Sequence, residues 1–179
     1  MILQLKVTLK YMKPPVWRRI QMDENMTFYD LHKILQIAFN WDDYHLHGFE
    51  IKKTNGEILR RKVLVEPDNP DDFMAKLMGA SFDEQEEKIG KWLVEEKDKC
   101  IYTYDFGDDW EHEIVVEKKL PAQINTSYPH CVKAMRVAPE EDSRGDFMNI
   151  EEVATKELTA QINQQLARLH NTNKETKAK

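Results

Sequence analysis

At 179 residues with 41% hydrophobic content, the chain has the size of one domain able to bury a sizeable core. Its formal net charge of −6 disfavours a stand-alone binder of phosphate backbones, and no apolar run approaches the ~20 residues that span a bilayer. The N-terminus alternates polar and apolar residues where a secretory signal would be continuously apolar, so a cytoplasmic protein is expected, with Cys100 and Cys131 as unbonded thiols.

Leu3, Leu5, Val7, Leu9 and Tyr11 alternate with Gln4, Lys6, Thr8 and Lys10, the period-two pattern of a half-buried strand. Pro14 and Pro15 interrupt the ladder, because proline has no amide donor, and Val16 to Met22 resumes as a second extended run. Thr27 is placed to cap a helix, with Asp30 as the capping-box acid and Phe28, Leu31, Ile34, Leu35 and Ala38 at helical spacing up to Asn40. Tyr44 to Lys52 reads as a strand, Thr54-Asn55-Gly56 as a turn and Ile58 to Val65 as the returning strand. Residues 66–72 form a loop, after which Phe73 to Met78 and Glu84 to Leu93 have helical spacing with loose ends. Beyond a hairpin and a proline-containing loop, Ile150, Val153, Leu158, Ile162, Leu166 and Leu169 mark a C-terminal amphipathic helix. The domain is expected over residues 1–170, with 171–179 as a disordered tail.

The hairpin carries the densest array of functional side chains. Cys100, Tyr102, Tyr104 and Phe106 share one strand face, and Trp110, His112, Ile114 and Val116 share another, so a turn at Gly107-Asp108-Asp109 joins two apolar rows. Keeping the rows together pairs Phe106 with Trp110, Tyr104 with His112 and Tyr102 with Ile114. Asp105, Glu111, Glu113 and Glu117 then form an acidic reverse face, open to solvent or to a cationic partner.

The run from Tyr104 through Asp105, Phe106, Gly107, Asp108, Asp109, Trp110 and Glu111 to His112 resembles the hallmark of the plasmid pRiA ORF-like family, also called the TnpR-like passenger proteins of insertion elements. Three further blocks agree: Lys13 to Ile20, the helical run Thr27 to Phe39, and Trp41 to Ile51. The resemblance implies a mixed α/β single domain and no particular reaction. The family's loop after Pro129 ends in a cysteine- and glycine-containing segment. This chain keeps Cys131, Arg136, Pro139, Glu141, Asp142 and Gly145 there but has Ala138 and Ser143 where cysteines are frequent, so a thiolate zinc site is not carried over.

Charge is uneven along the chain: residues 1–65 hold 11 Lys/Arg against 7 Asp/Glu, residues 66–117 hold 5 against 17, and residues 118–179 hold 10 against 8. Arg18, Arg19, Arg60, Arg61 and Lys62 are the candidate basic patch, although such regions more often pack together and neutralise one another. His45 and His47, two apart in an expected strand, can present two imidazoles to one metal ion, with His112 or Asp105 as third ligand. Their row companions Phe49, Ile51, Trp110 and Ile114 favour instead buried histidines that each hold a hydrogen bond. Asp105, Asp108 and Asp109 can act as acid/base groups or hold a hard cation, while aspartates also stabilise turns through nearby amides. Asp105 divides evenly between a site role and an ion pair with Arg18 or Arg19, and Glu141 with Asp142 can face the hairpin from their loop. No nucleophile elbow or phosphate-cradling glycine loop is present.

The preferred reading is an α+β domain built on a mainly antiparallel twisted sheet with β-hairpins, covered by the Thr27 to Asn40 helix and the C-terminal amphipathic helix. It is taken as a cytoplasmic accessory or interaction module of plasmids or mobile elements, with a protein partner and no membrane. Its recognition surface is Tyr104, Asp108, Asp109 and Trp110, with Arg18 and Arg19. One alternative is a metal-dependent enzyme, such as a hydrolase, on His45, His47, Asp105 and His112, with Asp105, His112, Glu141 and Asp142 as catalytic candidates. The other is a nucleic-acid-associated factor, which requires Arg18, Arg19, Arg60, Arg61 and Lys62 on one exposed face. No cofactor is implied beyond the divalent metal of the enzyme reading.

Overall fold

Period-two alternation governs the strands, and the computed structural model describes them within residues 1–69, 77–144 and 153–176. In chain order the elements are β1 (Ile2–Leu9), β2 (Val16–Asp23), α1 (Phe28–Phe39), β3 (His47–Thr54), β4 (Glu57–Ile58), β5 (Leu64–Glu66), β6 (Ser81–Asp83), α2 (Ile89–Trp92), β7 (Lys99–Tyr104), β8 (Trp110–Leu120), β9 (His130–Met135) and α3 (Thr155–Thr176). The strands form one sheet in the order β6-β5-β3-β7-β8-β1-β2-β9, with β4 beside β3. All pairings are antiparallel except β5 with β6, so the architecture is α+β.

Leu3, Leu5, Val7 and Leu9 of β1 face the same core as Val16, Ile20 and Met22 of β2 and Cys100, Tyr102 and Tyr104 of β7. Each fully buried aliphatic or aromatic side chain contributes about 1.5 to 3 kcal/mol by leaving water. Helix α1 covers this face because its stripe of Phe28, Leu31, Ile34, Leu35, Ala38 and Phe39 is buried. Thr27 Oγ1 accepts from Asp30 N, and Asp30 Oδ2 accepts from Thr27 N, both at 3.1 Å. The helix stops at Asn40, whose left-handed φ of 59° suits asparagine. Asp98, fully buried, pins the β3–β4 turn by accepting from the amides of Asn55, Gly56, Val94 and Glu95.

The opposite face of the sheet is a ladder of internal ion pairs. Glu117 closes on Arg19 at 2.5 and 2.8 Å, Glu111 on Lys10 at 2.7 Å and Glu113 on Lys99 at 3.2 Å. Three of the four acids of the expected open face, Glu111, Glu113 and Glu117, are therefore neutralised by cations of the same sheet face, whereas Asp105 belongs to the hairpin loop.

The hairpin differs from expectation in register. Tyr104 pairs with Trp110, Tyr102 with His112 and Cys100 with Ile114. The cause is a wider loop, Asp105 to Asp109, in which Asp105 and Asp109 take φ of 57° and 52° and Asp109 N donates to Asp105 O at 2.6 Å. A two-residue shift preserves side-chain parity, so Glu111 and Glu113 stay outside, whereas Phe106 leaves the core row and is 54% exposed.

Other boundaries moved too. The strand expected at Tyr44 begins at His47, which puts His45 in a loop. The strand expected over Ile58 to Val65 is split into β4 and β5, both of which pair with β3. The helix expected over Glu84 to Leu93 shrinks to α2, and β6 precedes it. Most of the Phe73 to Met78 helix, and Ile150 and Gly145, lie outside the described residues. Helix α3 is continuous to Thr176, beyond residue 171 where the tail was expected.

Strand β9 ends the sheet, and α3 covers it. Asn163 uses both ends of its amide, Oδ1 accepting from Cys131 N at 2.7 Å and Nδ2 donating to Cys131 O at 2.8 Å, while Thr159 Oγ1 accepts from Ala134 N at 2.9 Å. Ile162 and Leu166 drive the docking by burial. Cys100 and Cys131 are free buried thiols, as expected, and burial pushes the Cys131 thiol up to about 11. Among the described residues no helix is long and apolar enough to cross a membrane.

Candidate functional site

Three loops meet at one end of the sheet. The α1–β3 loop is joined to the hairpin loop by Asp105 N donating to Leu46 O at 2.9 Å, and to the segment after β9 by Trp41 Nε1 donating to Pro139 O at 2.9 Å. Arg144 closes the third side with Nη1 donating to the carbonyls of Asp108 and Asp109, its guanidinium 5.3 Å from the Trp110 ring.

Beneath these loops runs a closed circuit of hydrogen bonds. Gln36 Oε1 accepts from Asp43 N at 3.0 Å, which fixes the amide so that Nε2 donates to Tyr102 Oη at 3.0 Å. Tyr102 must then give its own proton to His32 Nδ1 at 2.8 Å, which leaves His32 Nε2–H to donate to Asp43 Oδ1 at 2.9 Å. His32 is thereby the neutral Nε2–H tautomer, and burial, helped by neighbouring His47, pushes its pKa down to about 3. His47 stacks on His32 with ring centroids 3.5 Å apart and planes 3° from parallel, and its Nε2 meets buried Glu84 Oε2 at 2.8 Å.

His32, Asp43 and His47 offer atoms within 4.8 Å of one another. Imidazole lone pairs lie in the ring plane, and two parallel planes 3.5 Å apart share no point, so the histidines cannot both aim at one ion in this arrangement. The circuit is instead a satisfied polar core.

The second cluster sits at the surface. His45 Nε2 is 3.1 Å from Asp142 Oδ1, and His45 Nδ1 is 3.7 Å from Asp105 Oδ2. The closer approach is not aligned as a hydrogen bond, and Nε2, although shielded from solvent, has no hydrogen-bond partner among the described residues. Asp105 is 8% exposed and commits Oδ1 to Gly107 N at 2.9 Å, which turns Oδ2 towards the imidazole. Next to it Tyr104 Oη accepts from Tyr44 N and His45 N and donates to Glu141 Oε1, and burial, then the Glu141 carboxylate, push the hydroxyl well above its ordinary range.

The four residues expected to form one metal centre are thus divided among three environments. His45 and Asp105 lie at the surface cluster, His47 belongs to the stacked pair, and His112 is fully buried among Phe39, Trp41 and Tyr102. His112 Nδ1 donates to Trp110 O at 3.0 Å, Nε2 has no hydrogen-bond partner among the described residues, and burial lowers its pKa to about 3. Glu141 reaches the hairpin through Tyr104, whereas the nearest approach of Asp142 is to His45 in the α1–β3 loop, with a carboxylate atom within 4.8 Å of one from Asp105.

Arg18 pairs with no hairpin carboxylate. It is buried, its Nε donates to Ala38 O at 2.6 Å and its Nη1 donates to the carbonyls of Trp17, Met135 and Arg136 at 2.8 to 3.1 Å. Burial lowers its pKa to about 10. With Arg18 inside and Arg19 closed on Glu117, the exposed basic face of five residues does not assemble, although Arg60, Arg61 and Lys62 are exposed.

Sequence reasoning missed His32, Gln36, Asp43 and Glu84. The available signal was two polar residues, His32 and Gln36, one turn apart on the apolar stripe of α1. Glu84 gave none, since its partner His47 is supplied by a distant strand.

A protein of unknown function, MM3350, from Methanosarcina mazei Go1 has a crystal structure similar to this fold, with a TM-score of 0.67 and 36% identity over 80% of this chain and 75% of that one. The uncharacterized protein y4hQ of Sinorhizobium fredii is 30% identical over 146 residues, covering 82% of this chain and 68% of its own length. Residues 1–172 match the plasmid pRiA4b ORF-3-like proteins, and the chain belongs to that family.

Proposed function

We propose that the protein is an interaction module whose recognition surface is the rim of loops around His45, and that its occupant is a basic segment of a protein partner. The observation that carries the reading is that exposed apolar side chains collect there: Tyr11, Tyr44, Leu46 and Phe106 are 72, 79, 71 and 54% exposed. Exposed acids accompany them in Asp42, Asp43, Asp109, Glu140 and Asp142. Aromatic faces and carboxylates together suit lysine or arginine side chains, through cation–π and charge-assisted contacts. The reverse face of the sheet is less suited, because its acids are already paired internally. Of the residues first expected at the surface, Asp108 and Asp109 lie on the hairpin loop beside the rim, whereas Tyr104, Trp110 and Arg18 are buried and Arg19 is paired with Glu117. A module of this kind fits an accessory role for plasmids or mobile elements, the context that the family name suggests.

Fluorescence titration with lysine- and arginine-rich peptides against acidic controls tests this reading. The wild-type chain should bind the basic set, with affinity falling as salt rises, and a Tyr44→Ala, Phe106→Ser double variant should weaken it by about tenfold or more. Equal binding of basic and acidic peptides, or an unaffected double variant, would overturn it.

A further inference from the structure

We infer that His45, Asp105 and Asp142 form a binding site for one divalent transition cation such as Zn2+ or Mn2+, with Glu141 as its neighbouring acid. This goes beyond the rim's recognition role and does not depend on it. The first support is spacing. Ligands bound about 2.1 Å from a common ion stand about 3.0 to 3.4 Å apart along the edge of its coordination shell. The 3.1 Å approach of Asp142 to His45 Nε2 lies in that range, and one ligand atom from each of the three residues falls within 4.8 Å of the others. The second support is that these groups are left unused. Among the described residues His45 Nε2 faces Asp142 without an aligned hydrogen bond. Asp105, which gives Oδ1 to the turn, holds Oδ2 3.7 Å from the other imidazole nitrogen, Nδ1, and outside hydrogen-bond reach of it.

The third support is preorganisation. Asp105 and Asp142 both hold left-handed backbone, at φ of 57° and 55°, and His45 is fixed through its own amide to Tyr104 Oη. Tyr104 also donates to Glu141, so one hydroxyl orients both the backbone of His45 and the neighbouring acid. An imidazole combined with carboxylates suits Zn2+ or Mn2+ better than Ca2+, which takes oxygen ligands. The exposed Asp142 leaves positions open to water.

Equilibrium dialysis of the full chain against Zn2+, and separately Mn2+, followed by metal analysis, tests the site. One ion per chain is expected, and His45→Ala and Asp142→Asn should each lower affinity by about tenfold or more. Circular dichroism should be unchanged, and Glu140→Gln, which alters an adjacent acid outside the site, should bind as wild type. If His45→Ala fails to fold, Asp142→Asn on its exposed loop decides alone. A wild-type chain that retains no ion at micromolar metal, or variants that keep it undiminished, would overturn the inference. Reading the peptide titration in chelator keeps the two tests separate.

Discussion

Two histidine–carboxylate clusters lie at one end of this sheet, and they differ in what their lone pairs do. In the inner cluster every polar atom of His32, Gln36 and Tyr102 that enters the circuit has a partner of fixed direction, and His32 is held neutral. In the outer cluster His45 stands between two carboxylates, and among the described residues neither of its nitrogens is in an aligned hydrogen bond. The same residue types thus serve a folded core in one place and leave coordinating capacity in the other. Composition does not distinguish them; the direction and occupancy of the lone pairs do.

Acid should separate the regions most strongly. His32 and His112 have folded pKa values near 3, below the ordinary 6.5, so the unfolded chain binds protons first as pH falls. Stability is therefore fully present above about pH 6.5 and is lost on the way down to about 3, by roughly 2 to 3 kcal/mol for each histidine by pH 4.5. Urea denaturation at pH 7 and 4.5 measures it, and a flat profile would refute the buried neutral assignment. His112→Ala should lower stability by about 3 kcal/mol through a cavity among Phe39, Trp41 and Tyr102, without removing any bound metal, and thermal melting with metal analysis reads both. Tyr102→Phe deletes the hydroxyl that links His32 to Gln36 and should cost about 1 to 3 kcal/mol, visible as a lower urea midpoint with an unchanged slope. Asp142→Asn, on an exposed loop, should change stability by less than about 0.5 kcal/mol. A large loss there would mean that the outer cluster is structural as well.

Local physics was legible in the sequence and distant pairing was not. The capping box of Thr27 and Asp30, the stop at Asn40 and the alternation of β1 all depend on neighbours within a few residues, and they were read directly. The hairpin faces were legible because parity survives any even shift. The register was not, because Asp105 and Asp109 take left-handed backbone and lengthen the loop. His45 and Asp105 were identified as candidates, but their third companion was settled by the fold, which brings Asp142 from a loop after β9 instead of His112 from β8. Arg18 was read as surface charge from its residue type, although it shares the parity of the buried Val16, Ile20 and Met22; the sequence does not show that the carbonyls of Ala38, Met135 and Arg136 receive its guanidinium.

The way Asn163 holds β9 bears on what the end of the sheet offers to another molecule. A terminal strand normally offers free amides and carbonyls to any strand that approaches, and this invites sheets to join between molecules. Here a side-chain amide on α3 takes both the N–H and the C=O of Cys131, and Thr159 takes the amide of Ala134. The helix therefore occupies the place of a tenth strand without extending the ladder. A chain shortened before Thr155 would present that edge bare, and its failure would be self-association through β9 as much as loss of the core.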